Sequence, residues 1–65
     1  MYKNKIREYR QEKQMSMKEL AEKSQISVGY LSHLENGSRV NPSTEVMERI
    51  AEALNTSIVQ IFFSK

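Results

Sequence analysis

The stretch Ser27-Val-Gly-Tyr-Leu-Ser-His-Leu-Glu-Asn36 predicts a short surface helix around which the rest of the chain is organised. Leu31 and Leu34 lie three residues apart, so they share the inward side of such a helix. The opposite side carries small or polar residues, namely Val28, Gly29, Ser32 and His33. Because these side chains are short, the outward face can approach a partner closely, and we predict a recognition surface. A solvated face without a partner is the alternative.

A second helix is predicted immediately before it. Ser16 and Glu19 have the spacing of a capping box, in which each side chain bonds the other residue's backbone amide. Ser27 then caps the helix that follows, after a break over residues 24–26. Two helices joined by so short a turn must cross steeply, which leaves room for only a methyl group at Ala21.

Three more helices complete the prediction of an all-α domain. Gly37 and Asn55 are expected to end helices in the left-handed conformation, and Ser43 is expected to cap the fourth helix. Ile61 and Phe62 turn the last helix back onto the core. We expect five helices and no strand, with the helices at about residues 4–13, 17–24, 28–35, 44–54 and 58–63.

Composition limits the classes of function. The 65 residues form one domain, 1–65, without cysteine and with a single histidine, so neither a metal site nor a cofactor is expected. Ser32 and His33 are adjacent and diverge on a helix, which argues against an enzyme. The N-terminus is polar, and the longest apolar run is only three residues, Ile61–Phe63. Both features argue against a signal peptide or a membrane span. A cytoplasmic protein is therefore expected.

Charge is distributed unevenly along the chain. The net charge is +2 and the sequence pI is about 9.1. Residues 1–25 hold seven Lys or Arg against four Glu, whereas residues 26–65 hold three against four. A basic front half favours a nucleic-acid partner.

Four motifs, in this order and at this spacing, resemble one family. They are Ser16-Met-Lys-Glu-Leu-Ala21 through Ile26-Ser27, Tyr30-Leu-Ser-His-Leu-Glu-Asn-Gly37, Asn41-Pro-Ser43 and Ile50-Ala-Glu-Ala-Leu54. The chain resembles the Cro/CI-type (Xre family) helix-turn-helix proteins of phage and bacteria, and within them the DNA-binding domain of SinR-like regulators. The resemblance runs from about Ile6 to Phe62. It implies a compact, five-helix, lambda-repressor-like fold and a repressor that binds a palindromic operator as a homodimer through the major groove.

The resemblance also assigns roles to individual residues. The implied base-reading residues are Ser27, Val28, Gly29, Ser32 and His33, and the implied phosphate contacts are Ser16, Lys18, Tyr30, Asn36 and Arg39. Two open alternatives are that His33 is an exposed bystander and that the Tyr30 ring only covers the core. The chain departs from the family at Met17, where Gln is frequent, and at Gln25, where Gly is usual. A non-glycine residue at position 25 is expected to adopt positive φ, at a cost of about 1 kcal/mol.

The family pairs an arginine of the first helix with the glutamate that ends the third, and Arg10 and Glu35 stand at those positions. Such a pair can fix how the two helices face DNA, but we favour the alternative that it is an ordinary scaffold ion pair.

The C-terminus carries more apolar residues than a lone domain needs. Val59 and Phe63 lie four residues apart on one helical face, and this spacing predicts a dimer interface. The alternative is that the chain is a monomer in which the helix end at Phe63 frays.

Another class of function remains open at this point. Antitoxin-like or coactivator-like protein-interaction modules use the same scaffold, and a protein antagonist of unknown identity is a possible partner. SinR-like proteins carry a further C-terminal oligomerisation segment, so we expect either a minimal regulator or the DNA-binding half of a longer protein.

Overall fold

The helices follow one another as the sequence predicts. A computed structural model describes residues 4–37 and 41–63, and these ranges contain helices and no strand. The elements are α1 (Ile6–Glu12), α2 (Met17–Ser24), α3 (Val28–Glu35), α4 (Thr44–Ala53) and α5 (Val59–Phe63). The prediction of an all-α, five-helix architecture is confirmed, with the correction that α5 is a π-helical turn.

The bounds of α2 and α3 match the prediction, whereas α1 is shorter than the predicted 4–13. The Asn4 side-chain oxygen accepts a hydrogen bond from the Ile6 amide at 3.0 Å. The Lys5 amide donates to the carbonyl oxygen of Ile61 in α5 at 2.8 Å. Lys5 has a non-helical backbone conformation, with φ −110° and ψ 26°, and its carbonyl oxygen accepts a hydrogen bond from the Tyr9 amide at 3.1 Å. Lys5 is therefore the N-cap, and α1 begins at Ile6, two residues later than expected. The fourth helix ends at Ala53, one residue earlier than expected, and Leu54 caps it.

Serine side chains begin four of the helical segments. Ser16, Ser27 and Ser43 each accept a hydrogen bond from the backbone amide three residues on, at 3.0, 3.0 and 3.2 Å. Ser57 does the same for Gln60, at 3.2 Å. Each bond satisfies an amide that has no partner inside the helix, which is why short helices can begin at these residues.

Three helices end with the same backbone device. Gln14, Gln25 and Asn55 have φ values of 54°, 61° and 56°. In each case the following amide donates back to a carbonyl five residues earlier, as Ile26 does to Ala21 at 3.0 Å. This is the Schellman arrangement, which satisfies carbonyls at the helix end. Gln25 therefore does adopt the left-handed conformation expected of it.

The core lies where α2 packs against α3 and α4, and α5 closes it against α1. Ala21 is 2% exposed, consistent with a close helix crossing at its methyl group. Ile26 is half-buried and packs against the core, whereas Ala51 of α4 is buried within it. The buried apolar residues are Ile6, Leu20, Ala21, Leu31, Leu34, Ile50, Ala51, Leu54, Ile61 and Phe62.

The positive φ of Gln25 leads to a stability prediction. Gln25→Gly removes the steric cost of the left-handed conformation, and part of this gain is offset by the greater entropy of glycine in the unfolded chain. We expect the free energy of unfolding to rise by about 0.5 kcal/mol, measured by urea denaturation.

The matched control is Gln11→Gly, which makes the same substitution at an exposed residue inside α1. There it should lower the free energy of unfolding by about 1 kcal/mol, since glycine is a poor helix former. Equal losses in both variants would contradict the strain attributed to Gln25.

Candidate nucleic-acid interface

The exposed side of α3 is small and open. Val28 is 45% exposed, Gly29 and His33 are exposed, and Ser32 is half-buried. Leu31 and Leu34, on the opposite side of α3, are 0% and 1% exposed. The helix therefore has one face in the core and one face uncovered by the described part of the chain.

Gly29 stands at the centre of this open face. A Cβ atom built at Gly29 would meet no atom within 4 Å outside its own local helix backbone. Internal packing thus does not require glycine here, although glycine weakens a helix by about 1 kcal/mol relative to alanine. A position where the helix must come close to another molecule would account for it.

Ser27 both caps α3 and borders its open face. Its hydroxyl oxygen accepts from the Tyr30 amide at 3.0 Å, so it caps α3. The hydroxyl proton is not used in that bond and can still be donated. Ser27 therefore lies at the N-terminal edge of the open face with its oxygen held in a fixed direction.

The sole carboxylate of α3 does not face outward. Glu35 ends the helix, and its side chain is 0% exposed. The Arg10 guanidinium meets it with two hydrogen bonds, from Nε to Oε2 at 2.7 Å and from Nη2 to Oε1 at 3.2 Å. Negative charge is thereby removed from the surface that α3 presents.

Arg10 is held as firmly as its partner. Its side chain is 15% exposed, and its Nη1 donates to the Met15 carbonyl oxygen at 2.9 Å. Hydrogen bonding to Glu35 raises the pKa of Arg10, against the opposing effect of burial, so this cation is permanent. The pair connects α1, the turn after it and the end of α3.

Two residues that were not predicted from the sequence also bond to the end of α3. Arg7 Nε donates to Glu35 Oε1 at 3.3 Å, and Arg7 Nη2 donates to Asn36 Oδ1 at 3.2 Å. Asn4 Nδ2 donates to the Leu34 carbonyl oxygen at 2.8 Å. A signal for Arg7 was present in the sequence, because positions 7 and 10 lie three residues apart and so share one face of α1.

The residues predicted to contact phosphate lie in different settings. Ser16 caps α2, Lys18 is exposed, and Asn36 is exposed with its amide oxygen bonded to Arg7. Tyr30 is half-buried and packs against the core. Arg39 lies outside the described residues.

The residues predicted for a dimer interface are uncovered. Val59 is 60% exposed and Phe63 is 61% exposed, whereas Ile61 and Phe62 of the same helix are buried. The helix α5 thus has an apolar outer face in addition to the side that enters the core.

The described residues hold no cluster of metal-ligating side chains. Within residues 4–37 and 41–63, no group of three or more His, Cys, Asp or Glu side chains could hold a metal ion. Over the same ranges, the helices are too short or too polar to cross a bilayer.

The helices α2 and α3 are joined by a short turn and pack together, and one face of α3 is open; this arrangement defines a helix-turn-helix unit. A family model described as Helix-turn-helix matches residues 6–61. The chain belongs to the helix-turn-helix family, in its Cro/CI (Xre) type, so the resemblance drawn from the sequence is confirmed.

Similar proteins point to one group of regulators. The chain is 40% identical over 53 residues to the HTH-type transcriptional regulator SinR of Bacillus subtilis, an alignment that covers 82% of this chain and 48% of SinR. The chain thus spans about half the length of the curated relatives it matches.

Solved structures agree. A SinR protein/SinI protein complex superimposes with a TM-score of 0.79 at 38% identity, over 85% of this chain and 53% of that one. A structure of SinR in complex with DNA superimposes with a TM-score of 0.78 at 39% identity, over 83% of this chain and 86% of that one.

The buried network leads to a second stability prediction. Arg10→Ala leaves Glu35 buried with only the more exposed Arg7 beside it, and breaking a buried pair typically costs about 3 to 5 kcal/mol. We expect this variant to be largely unfolded by circular dichroism at temperatures at which the parent is folded.

Arg49→Ala is the matched control. Arg49 pairs with Glu45 at 2.6 Å, a distance as short as that of Arg10 to Glu35, but the two side chains are 37% and 71% exposed. An exposed pair of this kind contributes at most about 0.5 kcal/mol. Similar losses in the two variants would contradict the importance given to burial.

Proposed function

We propose that this chain is a transcriptional regulator that binds double-stranded DNA, with the open face of α3 in the major groove. The observation that carries the proposal is the composition of that face. Its side chains are small or polar, they surround Gly29, and the one carboxylate of α3, Glu35, is buried. A helix of this kind fits the groove, which is about 12 Å wide, and brings no negative charge to the phosphates. That a relative is described in complex with DNA supports the proposal.

The base-reading residues would be Ser27, Val28, Gly29, Ser32 and His33. The exposed Val28 can contact a thymine methyl group, and His33 can donate to guanine N7 or O6. Serine hydroxyls bond to several bases, and the face has no arginine or long amide. We therefore infer modest base discrimination per subunit, to which DNA shape adds.

The phosphate contacts would be Ser16, Lys18, Tyr30, Asn36 and Arg39. These residues fix the position of α3 on the duplex without reading sequence. Asn36 retains its amide nitrogen for this contact, because its oxygen faces Arg7.

The finer proposal is a repressor that binds a palindromic operator as a homodimer. Val59 and Phe63 expose apolar surface on one side of α5, and two-fold pairing through α5 would cover it. Two copies of α3 would then enter successive major grooves about 34 Å apart. A relative is described in complex with SinI, so a protein partner in addition to DNA is compatible with this class of regulator.

Gly29→Ala tests the proposed position of α3. Alanine should raise the free energy of unfolding by about 0.5 to 1 kcal/mol, since it favours the helix and meets no atom within 4 Å outside the local helix backbone. The same methyl group should weaken duplex binding by about tenfold, because it enters a close contact with DNA. Urea denaturation and fluorescence anisotropy with a labelled duplex measure the two effects.

Gln11→Ala is the control, since it favours the helix at an exposed residue of α1, outside the proposed reading helix. It should leave duplex affinity unchanged. The affinity of the parent should fall steeply as salt is raised, in proportion to the number of phosphates contacted. A Gly29→Ala variant that binds as tightly as the parent would place the DNA contact elsewhere, and an absent salt dependence would favour a protein-interaction module.

Phe63→Glu tests the dimer. A carboxylate on the exposed face of α5 should disfavour pairing, reduce the mass found by sedimentation equilibrium to that of one chain, and weaken binding to a two-half-site duplex. The control is Glu52→Gln, a charge change at an exposed residue of α4. An unchanged mass and an unchanged affinity in Phe63→Glu would rule out this interface.

A further inference from the structure

Arg7 lies beside the C-terminal end of α3, and its contacts within the protein leave much of its side chain exposed. It bonds to Glu35 and Asn36, yet its side chain remains 55% exposed, compared with 0% for Glu35 and 15% for Arg10. The carboxylate is already bonded by Arg10 through both of its oxygens. Arg7 is therefore a second cation on a carboxylate that has a partner.

The local charge count is positive. Two guanidinium groups and one carboxylate leave a net charge of +1 at this end of α3. The C-terminus of a helix carries a partial negative charge that repels anions. A phosphate contact at Asn36, directly after α3, thus requires a cation close by, and Arg7 supplies one.

The hydrogen-bond donors of the two residues are available together. A guanidinium has five N–H groups. Arg7 uses one on Nε and one on Nη2, so three remain without a partner among the described residues. Because a guanidinium only donates, Asn36 must face it with Oδ1, which directs the Nδ2 group of Asn36 away from Arg7. The amide orientation is thereby fixed by Arg7.

We propose that Arg7 is a DNA phosphate contact, which forms with Asn36 one joint site for a backbone phosphate. Arg7 fixes the amide of Asn36 and provides a planar fork of donors for phosphate oxygens. Glu35 holds Arg7 in place from its buried position. This inference rests on the proposed binding of DNA and adds α1 to the surface that makes it.

The test uses the full 65-residue chain and a labelled, mixed-sequence duplex of about three helical turns, since phosphate contacts do not depend on sequence. Binding is measured by fluorescence anisotropy over a series of salt concentrations. Arg7→Ala should lower the affinity about five- to tenfold near 0.1 M salt and reduce the magnitude of the slope of log K against log salt by about one for each bound chain, as expected for one lost phosphate contact per chain.

Two further variants separate contact from charge and from folding. Arg49→Ala removes the same charge from an arginine that also pairs with a carboxylate, on a helix without proposed DNA contacts, and should leave the slope unchanged. Asn36→Ala combined with Arg7→Ala should cost less affinity than the sum of the single changes, since both residues serve one phosphate. The Arg7→Ala chain is checked by circular dichroism, and Arg7→Lys, which keeps the charge, should retain most of the slope.

The outcomes are distinct. If the parent binds without salt dependence, the proposed function itself fails. If the parent shows the dependence but Arg7→Ala keeps its full slope, or Arg49→Ala loses as much as Arg7→Ala, then Arg7 has a structural role only and the joint phosphate site is wrong.

Discussion

The ion pair between Arg10 and the buried carboxylate of Glu35 is the interaction on which the arrangement of helices around α3 depends. Glu35 ends the helix, its side chain is 0% exposed, and its charge would be strongly destabilising without a partner. Arg10 meets it with two hydrogen bonds and also donates to the Met15 carbonyl oxygen. One side chain thereby connects α1, the turn that follows it and the end of α3. The orientation of α3 relative to α1 is fixed by that geometry.

The same interaction shapes the surface of the molecule. Because Glu35 turns inward, α3 presents no carboxylate, and its outer face is left to short side chains around Gly29. At its other end, Ser27 caps the helix, and the left-handed Gln25 sets the turn from α2. The residues that hold α3 against the core thus also shape its open face, which explains why a domain this small can hold a helix against its core and still leave one side open.

Local features of the fold could be predicted from the sequence, because they depend on residues close together in the chain. The serine caps and the apolar spacing gave α2 and α3 their correct bounds, and Asn55 ends α4 with positive φ as expected. Tertiary features could not be predicted in this way. Asn4 and Arg7 bond to residues 28 to 30 positions away, and no local pattern places those partners. Local spacing likewise did not mark the π-helical form of α5, the helix that packs against α1.

The site could be predicted only in outline. Helical periodicity put Val28, Gly29 and His33 outside, and the structure places them there. Their individual roles came from the family resemblance, as did the pairing of Arg10 with Glu35. Spacing alone could not have found that pair, because it joins residues 25 positions apart. The contact between Arg7 and Asn36 follows from the placement of α1 beside the end of α3, which only the folded chain reveals.

The central claim is that the outer face of α3 is the surface that meets DNA. Backbone amide chemical shifts of the isotopically labelled protein, followed during titration with a short duplex, test it most directly. The largest shift changes should fall on residues 27–33 and on Asn36, with Arg7 among the affected residues of α1 and little change over α4. Changes concentrated on α4, with residues 27–33 unaffected, would contradict the claim.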